Sequence, residues 1–121
     1  MTARREALAA AIMRLREVLN RPETDVSRDA AIQRFEFCFE LAWKFIQERG
    51  RAEGLDCQSP KGCLQLAFKT SWIEDEQGWL AMLQDRNRTS HTYDEDLAKA
   101  VFQRLPNYLP LLGALLAKLT P

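Results

Sequence analysis

Residues 27–49 read Ser27-Arg28-Asp29-Ala30-Ala31-Ile32-Gln33-Arg34-Phe35-Glu36-Phe37-Cys38-Phe39-Glu40-Leu41-Ala42-Trp43-Lys44-Phe45-Ile46-Gln47-Glu48-Arg49. Ile32, Phe35, Phe39, Trp43 and Ile46 recur at steps of three and four, so a helix here carries them on one face. Phe37, Leu41 and Phe45 mark a second apolar face on the same helix. A helix apolar on two sides is central in a bundle, or is shared between a core and a partner. Asp25 or Ser27 is a suitable N-cap, and Gly50 is placed to end the helix. Glu36, Glu40 and Lys44 form a row at i, i+4, i+8. That row reads either as a solvated ridge of ion pairs or as an acidic strip facing a cleft.

The rest of the chain has the same period and no convincing period of two. Leu8, Ile12, Leu15 and Leu19 make one stripe on a first helix from about Thr2 to Asn20, closed by Arg21-Pro22. Ser59-Pro60 opens a third helix with a cap and a proline at its first position. Leu64, Ala67 and Phe68 are its inner face, and it ends near Ser71. Trp72 and Ile73 form an apolar joint. Asp75 caps a fourth helix that points Trp79, Leu80 and Leu83 inward and continues toward Asn87 and His91. From Asp94 a fifth helix carries Leu97, Val101, Leu105, Leu109, Leu112, Leu116 and Leu119, with Pro106 and Pro110 expected to kink or split it. The expected fold is therefore all-α, an up-and-down antiparallel bundle of four to five helices, with 1–121 as a single domain.

Composition narrows the function classes. The 121 residues are 46% hydrophobic and 28% charged, and 17 Lys+Arg balance 17 Asp+Glu. Zero net charge argues against a protein that coats nucleic acid indiscriminately, though not against a small basic site. No apolar run is long enough for a membrane span, and the N-terminus lacks a secretory apolar core, so the expectation is a cytoplasmic protein. Cys38, Cys57 and Cys63 are odd in number and form no C-x-x-C pair. With a single histidine, the expectation is buried or incidental thiols, not a disulfide framework or a zinc site, and no cofactor.

The glycines form no phosphate-cradling loop, and no nucleophile elbow accompanies the histidine. Asp94-x-Asp96 has metal-binding spacing but sits where an N-cap is expected. What remains is Asp85-Arg86-Asn87-Arg88-Thr89-Ser90-His91-Thr92-Tyr93. His91 is the side chain here that exchanges a proton near neutral pH, and Arg86 and Arg88 suit phosphate oxygens. Asn87 and His91 are four apart, so they share a face if the helix continues. Histidine for proton transfer beside arginine for phosphate is a minimal kit for metal-free RNA cleavage leaving a 2′,3′-cyclic phosphate. From spacing alone, His91 reads equally as a capping or packing histidine. Tyr93 reads as a packed ring with a bonded hydroxyl.

Arg86 to Tyr93 spells R-x4-H-x-Y. This resembles the signature of the HEPN superfamily, in particular the HepT-like toxins, also named nucleotidyltransferase substrate-binding proteins. Residues 28–44 resemble the second helix of that family, and Trp79-Leu80-x-Met82-Leu83-x-Asp85-Arg86-Asn87 leads into the motif in the same way. The resemblance implies an all-α homodimer in which two R-x4-H segments meet in a cleft. It implies a metal-independent endoribonuclease with Arg86 and His91 catalytic, and with Asn87, Arg88 and Ser90 supporting or binding RNA. It further implies an MNT-type nucleotidyltransferase partner acting as antitoxin, which transfers AMP to Tyr93. Glu36 and Glu40 are candidates to order Arg86 by ion pairing. The alternative is a non-catalytic substrate- or nucleotide-binding subunit of a two-component nucleotidyltransferase.

Overall fold

A computed structural model describes residues 3–120. Among them the chain is helical with no strand: α1 (Ala3–Leu19), α2 (Asp25–Ala52), α3 (Pro60–Lys69), α4 (Glu76–Arg88), α5 (Glu95–Arg104) and α6 (Leu109–Lys118). A 3₁₀ turn, Thr89–His91, follows α4, and a second, Leu105–Tyr108, joins α5 to α6 without a loop. Counting α5 and α6 as one interrupted rod gives five helices, within the four to five expected. The interruption coincides with Pro106, which has no N–H to donate to an α-helical ladder. Thr2, expected near the start of α1, lies outside the described residues.

The doubly apolar α2 is the axis of the bundle and packs against each of the other five helices. Phe35, Phe39, Ala42 and Ile46 are fully buried along it. Around them close Leu8, Ile12, Leu15 and Val18 of α1, Trp79 and Met82 of α4, and Leu112 and Leu115 of α6. From α5 to the C-terminal end the buried positions run Val101, Leu105, Tyr108, Leu112, Leu115 and Leu119. These steps are of three and four, so one stripe persists through the 3₁₀ turn. On α4 the inward residue beside Trp79 is Met82, not Leu80; on α3 Leu64 and Ala67 are buried as expected, joined by Cys63, while Phe68 is exposed.

Helix ends follow local chemistry. Thr24, not Asp25 or Ser27, caps α2: its hydroxyl accepts from the Ser27 amide at 3.0 Å, and the Ser27 hydroxyl accepts from the Thr24 amide at 2.7 Å. Gly50 does not end α2, which runs two residues further. A Cβ at Gly50 would meet Leu66 Cδ2 of α3 at 3.1 Å, so the glycine serves close helix packing. The chain reverses at Gly54, whose φ of 75° is the left-handed region that glycine adopts without strain. Ser59 and Asp75 cap α3 and α4 as expected. No helix among the described residues is long and apolar enough to cross a membrane.

The cysteine expectation needs correction. Cys57 and Cys63 form a disulfide, and only Cys38 is a free, buried thiol. The α2–α3 connection folds back on the first turn of α3, which leaves the two Cα atoms 5.1 Å apart, within bridging range. Neither the odd count nor the absence of C-x-x-C reveals that proximity. Burial pushes the Cys38 thiol up to about 12. Thiol titration checks the arrangement: one thiol is expected to react in denaturant without reductant, and all three after reduction.

Candidate functional site

The last turn of α4 owes its placement to Asp85. The inward face of this helix reads Trp79, Met82, Asp85, so the helical period drives a carboxylate into the core. Asp85 is completely buried, and such a group is tolerated only when donors replace its lost water. Arg104 donates through Nε at 2.8 Å and Nη2 at 2.7 Å, a two-point grip from the end of α5. The Tyr108 hydroxyl donates at 2.5 Å from the second 3₁₀ turn, and Arg88 Nη1 donates at 2.8 Å from α4 itself. The Tyr108 ring stacks on Phe35 of α2, with centroids 5.4 Å apart. Burial pushes the Asp85 carboxyl up, but the hydrogen bonds from Arg104, Tyr108 and Arg88 outweigh it and hold the group below the usual carboxylate range. Burial and the bond to Asp85 push the Tyr108 phenol well above its ordinary value.

Beyond Asp85 the helix tightens. Thr89 Oγ1 donates to the Arg86 carbonyl at 2.6 Å, Ser90 Oγ to that of Asn87 at 3.4 Å, and Thr92 Oγ1 to that of Thr89 at 2.9 Å. Each is a side-chain bond to a carbonyl three residues back, which competes with the α-helical ladder and favours the 3₁₀ turn. The tighter winding turns His91 out of the i, i+4 alignment with Asn87 that a continuing α-helix would give. The Asp94 amide donates to the His91 carbonyl at 3.1 Å, and Asp94 then caps α5.

Arg86, Asn87, Ser90, His91 and Tyr93 thus follow one another along the end of α4, the 3₁₀ turn and the link into α5, which form the corner between these two helices. His91 is exposed, and Tyr93 is 87% exposed. Their rings meet edge to face with centroids 6.1 Å apart. Arg86 crosses to α2, where its Nη2 donates to Glu40 Oε1, and its guanidinium carbon lies 5.8 Å from the centre of the Phe39 ring. Arg86 Nη1 also donates to Asn87 Oδ1 at 3.3 Å. Arg88 turns the other way, onto Asp85. Of the acidic row on α2, Glu40 is the member that reaches the corner. Lys44 lies 4.0 Å from Glu40 Oε2, and Trp43 Nε1 donates to that oxygen at 3.1 Å. Glu36 is half-buried and forms no ion pair among the described residues.

Sequence reasoning did not single out Asp85, Arg104 or Tyr108. One signal was present: an acid at an inward helical position is a buried acid, and a buried acid needs donors elsewhere in the chain.

Comparison with known proteins places this geometry in a family. Residues 3–121 match the family model described as nucleotidyltransferase substrate binding protein like. A probable ribonuclease HepT from Haemophilus influenzae is 33% identical over 84 residues, which span 65% of this chain and 58% of that protein's length. A crystal structure of a Thermus thermophilus protein superposes with a TM-score of 0.88 at 42% identity, covering 94% of this chain and 99% of the other. A second structure, from Haemophilus influenzae, is described as revealing the fold of a substrate binding domain of a nucleotidyltransferase. It gives a TM-score of 0.84 at 27% identity, covering 94% and 97%.

Replacing Asp85 by alanine leaves Arg104 and Tyr108 facing each other without an acceptor. The expected loss is about 3 kcal/mol or more in folding free energy, measured by urea unfolding. A carboxylate held below its unfolded value contributes stability at neutral pH that is lost as acid protonates it. The melting temperature of the wild type should therefore fall more steeply as pH drops below about 5 than that of Asp85→Asn, which starts lower.

Proposed function

The chain belongs to the nucleotidyltransferase substrate binding protein like family, and on that premise we propose that it is the ribonuclease toxin of a HEPN/MNT toxin–antitoxin pair. One observation supports the proposal: an exposed imidazole, His91, follows by five residues an arginine, Arg86, whose guanidinium is held by Glu40 of α2. Similarity to a probable ribonuclease HepT supports it.

The reaction is transesterification. The 2′-oxygen bonds to phosphorus, the bond from phosphorus to the 5′-oxygen breaks, and a 2′,3′-cyclic phosphate remains. An imidazole takes the 2′-hydroxyl proton, and the leaving 5′-oxygen receives a proton from the imidazole of a second copy. Arg86 stabilises the charge that grows on the phosphorane oxygens. Asn87 and Ser90 line the approach, and Arg88 offers phosphate only what Asp85 leaves free. No metal or other cofactor takes part in this scheme. Both imidazoles require a homodimer of the 1–121 unit. A groove between α1 and α2, lined by Ala7, Ala10, Ala11, Phe37 and Leu41 with Arg14, Gln33 and Arg34, gives a second copy a face to cover.

Tyr93 is the acceptor of AMP from a nucleotidyltransferase partner. Its phenol oxygen attacks the α-phosphorus of ATP, and pyrophosphate leaves. Its exposure makes it reachable, and its edge contact with His91 means that an added nucleotide would crowd the imidazole. The pair works in the cytoplasm. A second reading, a non-catalytic nucleotide- or substrate-binding subunit of a two-component nucleotidyltransferase, is favoured by the charge pairing. Both motif arginines already face carboxylates, whereas RNA channels are basic.

A cleavage assay in chelator separates these readings. Wild type is expected to cut RNA, with Arg86→Ala and His91→Ala each lowering the rate by about a hundredfold or more. Equal activity in all three proteins contradicts the mechanism. Intact mass after incubation with the partner transferase and ATP should show one added AMP, absent in Tyr93→Phe.

A further inference from the structure

We infer that Glu40 is the positioning residue of this site, fixing which edge of Arg86 faces an incoming phosphate; the inference rests on the ribonuclease reading above. Glu40 sits on the central helix, next to the fully buried Phe39, and its two carboxylate oxygens do different work. Oε1 accepts from Arg86 Nη2, across from α4. Oε2 accepts from the indole N–H of Trp43 at 3.1 Å, with Lys44 Nζ at 4.0 Å. A carboxylate held from behind by an indole cannot swing with the arginine it binds. Its geometry belongs to α2, and it passes that geometry on to Arg86.

The guanidinium is held from three directions. Glu40 takes one Nη2 proton, the Asn87 side-chain oxygen accepts from Nη1 at 3.3 Å, and the Phe39 ring lies beside the plane, 5.8 Å away. Three contacts on a planar cation fix its orientation and leave its Nε proton for an anion. Both partners of the ion pair are about a third exposed, at 31% and 34%. A pair so exposed adds little to folding stability, so its consequence falls on orientation. Glu40 also brings a negative charge close to where the RNA phosphate would lie. Removing it should therefore help RNA bind while spoiling the aim of Arg86. That opposition of binding and turnover is a signature that a purely structural residue does not give.

Two readouts on the full chain test this. In the 15N-labelled protein, slowly exchanging and separately resolved Arg86 Nη signals are expected, because the ion pair stops rotation of the guanidinium. In Glu40→Ala these signals should merge while the melting temperature barely moves. On an oligoribonucleotide, Glu40→Ala should lower kcat by about tenfold or more with KM unchanged or lower, and Glu40→Asp should restore part of kcat. A kcat within about twofold of wild type in Glu40→Ala overturns the inference, as does a wild-type Arg86 signal that is already merged. So does loss of activity in Glu40→Ala that only tracks loss of folded protein. A wild type that cleaves no RNA, yet shows resolved Arg86 signals lost in Glu40→Ala, removes the ribonuclease reading and leaves the hold of Glu40 on Arg86 standing.

Discussion

A carboxylate sealed from water must be answered by donors, and the ones that answer Asp85 tie three separate parts of the chain together. Arg88 comes from its own helix, Arg104 from the end of α5, and Tyr108 from the turn that bends α5 into α6. Removing one member of such a cluster costs about 3–5 kcal/mol, a large share of the stability of a small domain. The cluster therefore works as a lock on registry. It fixes where α4 ends, and the residue after the lock is Arg86. Every side chain of the R-x4-H-x-Y corner is placed by counting onward from that point.

Charge at the corner is more restrained than the sequence implies. Two arginines flank the start of the motif, but Arg88 is drawn into the lock and Arg86 is met by Glu40. On the proposed ribonuclease reading, such a corner suits one phosphate at a defined place and not a long polyanion. That agrees with a chain whose charges sum to zero. The division of labour follows from burial. Asp85, with no exposure, acts on stability; Glu40, partly exposed, acts on orientation.

The fold was legible because its signals are local and repeated. The double apolar face of α2, the caps at Ser59 and Asp75, and the prolines at 106 and 110 each act within one or two turns of themselves. The misreadings share a different origin. Gly50 looks like a helix stop until Leu66, sixteen residues away, is seen against it. Cys57 and Cys63 look incidental until the chain folds back between them. At the corner, the motif residues were visible as a string, but their relative orientation was not. It depends on hydroxyls bonding three residues back and tightening the helix, and on partners 19, 23 and 46 residues distant. Such pairings carry no spacing rule that one sequence can disclose.

The most direct test of the account is a crystal structure of the chain with an oligoribonucleotide whose 2′-hydroxyls are methylated, so that it binds and is not cut. One phosphate should lie within hydrogen-bonding distance of the Arg86 guanidinium and of a His91 imidazole, with Asp85 still held by Arg104 and Tyr108. A phosphate bound elsewhere, or Arg86 and His91 opening onto separate regions of solvent with none between them, would contradict it.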